Sequence, residues 1–166
     1  MTRHVHDTRT GFGEPPIALG NGRGGSEFVL NRELEADTLS IGRLELCRLL
    51  LMNDATYPWF ILVPERPGIR EIFELEPRDR LSLINEIAQV SKVVGEIFDP
   101  DKLNVAAIGN LVPQLHVHIV ARFHSDPVWP MPIWGRTPRY PYKAAAAAAL
   151  RGEVHRHLGG ALLEIA

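Results

Sequence analysis

The sequence predicts an α+β fold, a sheet of at least four strands with a long helix packed on it. Three observations lead there. Apolar runs of strand length lie on both sides of one amphipathic stretch of helix length, so the order is strands, helix, strands and not the alternation of a doubly wound parallel sheet. Prolines and turn-forming Asn-Asp and Asp-Pro pairs bound those runs. The chain has 166 residues, 45% of them hydrophobic, and shows no internal repeat, which suits one domain with one sizeable core.

The elements follow in order. Residues 1–26 include GFGEPPIALGNGRGGS, rich in glycine and broken by Pro15 and Pro16, a composition that resists regular structure and predicts a flexible N-terminal arm. LELCRLLLMND reads as a buried strand running into a polar turn at Asn53 and Asp54. YPWFILVP, bracketed by Pro58 and Pro64, reads as its antiparallel partner, so the two form a hairpin. Pro77 suits the first turn of a helix, and Leu81, Ile84, Ala88, Val94 and Ile97 recur at spacings close to one helical face, which is expected to lie on the sheet. Asp99-Pro100 ends that helix, and LNVAAIGN and LHVHIVARF supply two further strands separated by a short loop. KAAAAAALRGEVHRHL has strong helix propensity, stops at Gly159-Gly160 and carries no evident chemistry.

Composition excludes several classes of function. The net charge of −2, with acidic and basic residues interspersed, leaves no extended basic surface for nucleic acid or membrane. Cys47 is the only cysteine, which excludes an internal disulfide framework and a cysteine-rich zinc module; buried filler is its expected role. The first 25 residues lack the apolar core of a signal peptide, and no apolar run is long enough to cross a bilayer, so the expectation is a soluble cytoplasmic protein.

The chemistry concentrates in LVPQLHVHIVARF. Residues two apart on a strand share a face, so Gln114, His116 and His118 are expected to point one way, roughly 7 Å apart along the chain, while Leu115, Val117 and Ile119 point the other. Three readings are open. The histidines are half-exposed strand residues without a task, a reading that the convergence of two imidazoles and an amide beside a polar loop weighs against. They chelate a divalent ion, for which a clear third ligand is lacking: His124 would lie about 20 Å from His118 on a straight strand. His155 and His157 would face opposite ways on a helix, and His4 and His6 lie in the arm. Or a neutral imidazole, held in one tautomer, attacks phosphorus while a neighbouring donor stabilises the developing charge.

The pattern QLHVHIVAR, preceded by LNVAAIGN and by NDATYPWFILVP, resembles the histidine triad (HIT) superfamily of nucleotide hydrolases and transferases over about residues 28–135. The resemblance implies a HIT-like fold, an antiparallel sheet of about five strands with the long helix packed on it, in a domain over residues 27–140; the Ala-rich C-terminal helix and tail read from propensity occupy 141–166. It makes His116 the nucleophile that attacks the α-phosphate of a nucleoside phosphate, giving a nucleotidyl-histidine that water or another acceptor resolves. It places His118 against a non-bridging phosphate oxygen and Gln114 near the leaving group. An amide does not gain or lose a proton near neutral pH, so Gln114 cannot deliver one. In YPWFILVP, Trp59 stands where many members carry a supporting histidine, and it does not titrate either.

Other matching positions are Asn53 and Asp54, in the region where relatives hold the ribose, and Asn104, Gly109 and Asn110, where relatives contact phosphate. Arg122 either adds positive charge for phosphate or is a solvated strand-end residue. The loop with Trp129, Pro130, Pro132 and Trp134 is expected to cover the pocket or to pack on a second subunit, since the resemblance implies a homodimer with a sheet continuous across both subunits. The function this implies is hydrolysis of a phosphoanhydride or phosphoramidate bond in a purine nucleotide or nucleotide conjugate. The alternatives are a nucleotidyltransferase of the same superfamily and a catalytically weakened nucleotide-binding protein. No cofactor and no protein-bound catalytic metal are expected; magnesium would accompany a polyphosphate substrate. No nucleic-acid or membrane partner is expected.

Overall fold

The computed structural model describes residues 27–136 and 138–163. The expected arm over 1–26, with His4 and His6, lies outside them. A short helix, α1 (Arg32–Asp37), leads into strand β1 (Thr38–Arg43), followed by β2 (Cys47–Met52) and β3 (Trp59–Pro64). The long helix α2 (Pro77–Phe98) crosses to β4 (Lys102–Ala106) and β5 (Val117–Arg122), and α3 (Ala144–Leu158) is followed by a short 3-10 turn at Gly159–Ala161. The five strands form one antiparallel sheet in the order β1-β2-β3-β5-β4.

Three expectations need correction. The stretch LELCRLLLMND is not the first strand but the second, flanked by β1 as well as β3. β1 and α1 escaped because TLSIGR offers only two large apolar residues and RELEAD is six mostly charged ones, too short for a periodic signal. The histidine strand starts later than expected: β5 begins at Val117, so Gln114 and His116 sit in the approach to it.

The third correction is the buried face of α2. Leu83, Glu86, Val90 and Val93 face the core, whereas Leu81 and Ile84 are 66% and 56% exposed and Ala88 is exposed too; Val94 and Ile97 do pack on the core as expected. A buried carboxylate disguised this stripe. Glu86 accepts hydrogen bonds from the backbone N–H groups of Leu46 at 2.7 Å and Cys47 at 3.1 Å, satisfying the turn between β1 and β2. Burial nonetheless pushes its pKa up, and burial together with the Glu86 carboxylate pushes up that of the Cys47 thiol.

The sheet separates two apolar layers. On one face Leu49, Leu51, Phe60, Leu62, Leu115, Val117, Ile119 and Ala121 pack beneath α2 and α3. α3 joins through Val154 and Leu158, and His155 Nε2 lies 2.6 Å from the Ile41 carbonyl. On the other face Leu50, Met52, Trp59, Ile61, Val63 and Val120 are covered by Phe28, Leu30 and Leu34 on one side and by Val128, Ile133 and Trp134 on the other. The candidate site opens on that second face.

Candidate active site

Trp59 at the start of β3 lines the site, and β5 with the residues that lead into it supplies the chemistry. His116 and His118 alternate with Leu115, Val117 and Ile119 as expected, so the apolar set enters the core while both imidazoles turn to the opposite face. Their rings meet edge to face, with centroids 4.8 Å apart at 84°. Both border a cavity of about 430 Å³, within the range of small-ligand sites, whose apolar lining includes Leu34, Met52, Tyr57, Trp59, Ile133 and Trp134.

His116 Nδ1 lies 2.7 Å from the backbone carbonyl of Gln114. A carbonyl only accepts, so the ring proton of neutral His116 sits on Nδ1 and Nε2 keeps its lone pair. His118 has the opposite tautomer. The Trp59 indole N–H, a donor only, reaches its Nδ1 at 2.9 Å, which leaves the proton of the neutral ring on Nε2. Trp59 pairs with Val120 in the register, so this is a diagonal contact across the β3–β5 ladder. Burial above all, and then the nearby His116, push the pKa of His118 down to about 3 against the support of a hydrogen bond to the backbone of Ile108. Trp59 and Trp134 also enclose His118 edge on, at 5.4 and 5.6 Å between centroids. The pair thus combines a ring with a free nucleophilic nitrogen and a ring that stays neutral and donates one hydrogen bond.

The remaining expected residues divide. Asp54 and Asn110 line the cavity. Asp54 is also structural, its Oδ1 accepting from the N–H groups of Thr56 at 3.0 Å and Tyr140 at 3.2 Å. Gly109 borders a smaller polar cleft of about 160 Å³ beside His116, with Asn110, Gln114 and Arg70. A Cβ at Gly109 would stand 3.0 Å from the Val112 carbonyl oxygen, so the loop needs glycine for close approach. Asn53 is outside the cavity lining, and its Oδ1 accepts from the Tyr142 N–H at 2.9 Å. Asn104 is likewise outside and accepts at Oδ1 from Arg122 at 2.7 Å.

Arg122 is neither a solvated strand end nor part of the cavity lining. It is 1% exposed, paired with Asp126 at 2.6 Å and bonded to the Met131 carbonyl at 2.9 Å, so it braces the loop that carries Trp134. Within that loop Trp134 covers the cavity, while Trp129 stacks on Arg122 and His124. Gln114 turns away from the cavity. Its Oε1 accepts from the Asn31 N–H and its Nε2 donates to the Val29 carbonyl, each at 2.9 Å. Several cavity residues had no sequence signal: Glu33 and Asp37 come from the short charged helix α1, and Arg139, which pairs with Asp37 at 2.6 Å, comes from a proline-rich stretch. His124 pairs with Asp101 at 2.7 Å, and among the described residues no three His, Cys, Asp or Glu side chains are grouped to hold a metal ion. No helix among them is long and apolar enough to cross a membrane.

Comparison with known proteins adds a second line of observation. The family model of the HIT domain matches residues 33–125. A histidine triad protein from Marinobacter aquaeolei VT8 is 44% identical, with a TM-score of 0.80 over 82% of this chain and 99% of that one. A histidine triad protein from Bradyrhizobium japonicum is 42% identical, with a TM-score of 0.78 over 80% and 98% of the two chains. One from Sinorhizobium meliloti 1021 is 40% identical, with a TM-score of 0.78 over 79% and 97%. No curated protein matches the chain.

Proposed function

The chain belongs to the histidine triad family, and from that premise we propose that it binds a purine nucleotide or nucleotide conjugate and cleaves the bond at the α-phosphate through a nucleotidyl-His116 intermediate. The observation that carries this reading is the His116 ring, held by the Gln114 carbonyl at the wall of the cavity with Nε2 free. In the first step Nε2 forms a bond to the α-phosphorus, and the bond to the leaving group breaks with its electron pair going to the leaving phosphate oxygen, or to a leaving nitrogen that takes up a proton from solvent and departs as the amine. In the second, water adds to phosphorus, the N–P pair returns to Nε2, and one proton passes to solvent. His118, neutral with its proton on Nε2, would turn that proton from the backbone of Ile108 to a non-bridging oxygen on which charge builds. The apolar lining would hold the base and Asp54 the ribose. No resident metal takes part in this scheme; magnesium would enter with a polyphosphate substrate.

Leaving groups of both classes, phosphoanhydride and phosphoramidate, fit the scheme, and steady-state assays on dinucleoside polyphosphates and nucleoside phosphoramidates test it. His116→Ala is expected to lower kcat by about a thousandfold or more, as loss of a nucleophile does, and His118→Ala by about a hundredfold, as loss of one charge-stabilising donor does. Unchanged turnover in His116→Ala would remove the nucleophile assignment. A transferase would share the intermediate and be recognised by passing the trapped nucleotide to an acceptor other than water. The presence of Gln114 and Trp59 where two titratable side chains are expected favours one further reading, nucleotide binding without turnover. Calorimetric binding of adenosine monophosphate with no turnover across both substrate classes would select it.

A further inference from the structure

We propose that Gln114 is a positioning residue: its side-chain amide clasps the backbone on either side of Leu30 and so fixes the wall that α1 contributes to the cavity against the loop that carries His116. This inference rests on the proposed nucleotide site and assigns a task within it.

Both polar functions of the amide are used, Oε1 by the Asn31 N–H and Nε2 by the Val29 carbonyl, each at 2.9 Å across more than eighty positions of sequence. Those two backbone groups flank Leu30, and they are the pair that a neighbouring parallel strand would engage through one residue's N–H and C=O. The Gln114 amide therefore stands in for a peptide group of a strand that is not there. The hold is relayed directly. Asn31, fixed through its N–H, caps α1 by accepting at Oδ1 from the Glu33 N–H at 2.8 Å, and α1 then presents Glu33, Leu34 and Asp37 to the cavity. A helix of six residues has little stability of its own and depends on such ties.

The main chain of the same residue does the other half of the work. The Gln114 carbonyl accepts from His116 Nδ1 at 2.7 Å, so one residue holds the nucleophile with its backbone and the cavity wall with its side chain. This also accounts for the residue type. An imidazole has one donor and one acceptor when neutral, but its two ring nitrogens point in diverging directions, whereas the oxygen and nitrogen of an amide point to the same side and match the Val29–Asn31 pair. With both ends committed, the amide is turned from the cavity and sets how well the substrate is held, not how its leaving group is protonated.

The test uses the full chain and two variants, Gln114→Met, which keeps length and volume and removes both hydrogen bonds, and Gln114→Glu, which keeps the acceptor for Asn31 and loses the donor to Val29. In Gln114→Met, hydrogen exchange of the Asn31 amide and of α1 is expected to rise about tenfold while β2 and β3 keep their protection. The Kd for adenosine monophosphate and the KM for turnover are expected to rise about tenfold, what one to two net hydrogen bonds are worth, with kcat within about threefold of wild type. Gln114→Glu should fall between. A hundredfold loss of kcat with KM and exchange unchanged would assign the amide to the chemical step and overturn the clasp, as would exchange and affinity that do not move. If wild type binds no nucleotide, the proposed function fails, and the exchange of Asn31 still decides whether the clasp holds the wall.

Discussion

His118 illustrates how a single residue here is set by its neighbours. Its Nδ1 is occupied by the Trp59 N–H, its ring lies between two tryptophans, and its pKa is pushed down to about 3 from an ordinary 6.5. The consequence for stability has a definite sign. Between those two values the unfolded chain binds a proton that the folded one refuses, so the contribution of this residue is complete above pH 6.5 and declines as pH falls towards 3. Urea unfolding of wild type and His118→Gln at pH 7 and pH 4 should show the difference. Wild type is expected to lose a few kcal/mol more than the variant over that interval, and parallel losses would show that His118 is not held neutral. Trp59 takes the place of a titratable partner in this arrangement. An indole N–H does not titrate, so it fixes the tautomer of His118 wherever that ring is neutral, whereas an imidazole in its place would do so in only some of its own protonation states.

At the scale of elements, the phase of α2 shows how a polar residue misleads a reading of periodicity. Of the expected stripe Leu81, Ile84, Ala88, Val94 and Ile97, only Val94 and Ile97 reach the core, which otherwise takes Leu83, Val90 and Val93, with Glu86 in their midst. Glu86 belongs on the buried face because two backbone N–H groups at the β1–β2 turn need an acceptor there, and only the packed structure reveals that need. Alanine substitutions separate the two faces by direct measurement. Leu83→Ala is expected to destabilise the protein by about 3 kcal/mol, whereas Leu81→Ala, at an exposed site, should stay within about 0.5 kcal/mol of wild type. Equal losses would place the helix in a different phase. The alternation of the histidine stretch was read more faithfully because a period of two needs no partner to be recognised: Leu115, Val117 and Ile119 went to the core and His116 and His118, though not Gln114, to the cavity.

On the scale of the whole molecule, β4 lies at one end of the sheet, and Val105 within it is 47% exposed. A homodimer with one continuous sheet, as proposed from the family resemblance, would pair this edge with its copy. Val105→Lys is expected to shift the sedimentation-derived mass from dimer to monomer, since lysine on an edge strand opposes edge-to-edge pairing; an unaffected dimer would place the interface elsewhere. The sequence by itself determined the α+β class, the helix of residues 77–98, the hairpin of β2 and β3 and the pair of histidines on one face, because periodicity, prolines and turn residues act over a few positions. Tertiary structure alone decided the partners of Gln114, the burial of Arg122 against Asp126 and Asn104, and the share of α1 and Arg139 in the cavity. The physical reason is range. A side chain's direction along a strand is local geometry, whereas which hydrogen-bonding groups must be satisfied, and by whom, depends on segments that meet only when the sheet has closed over its core.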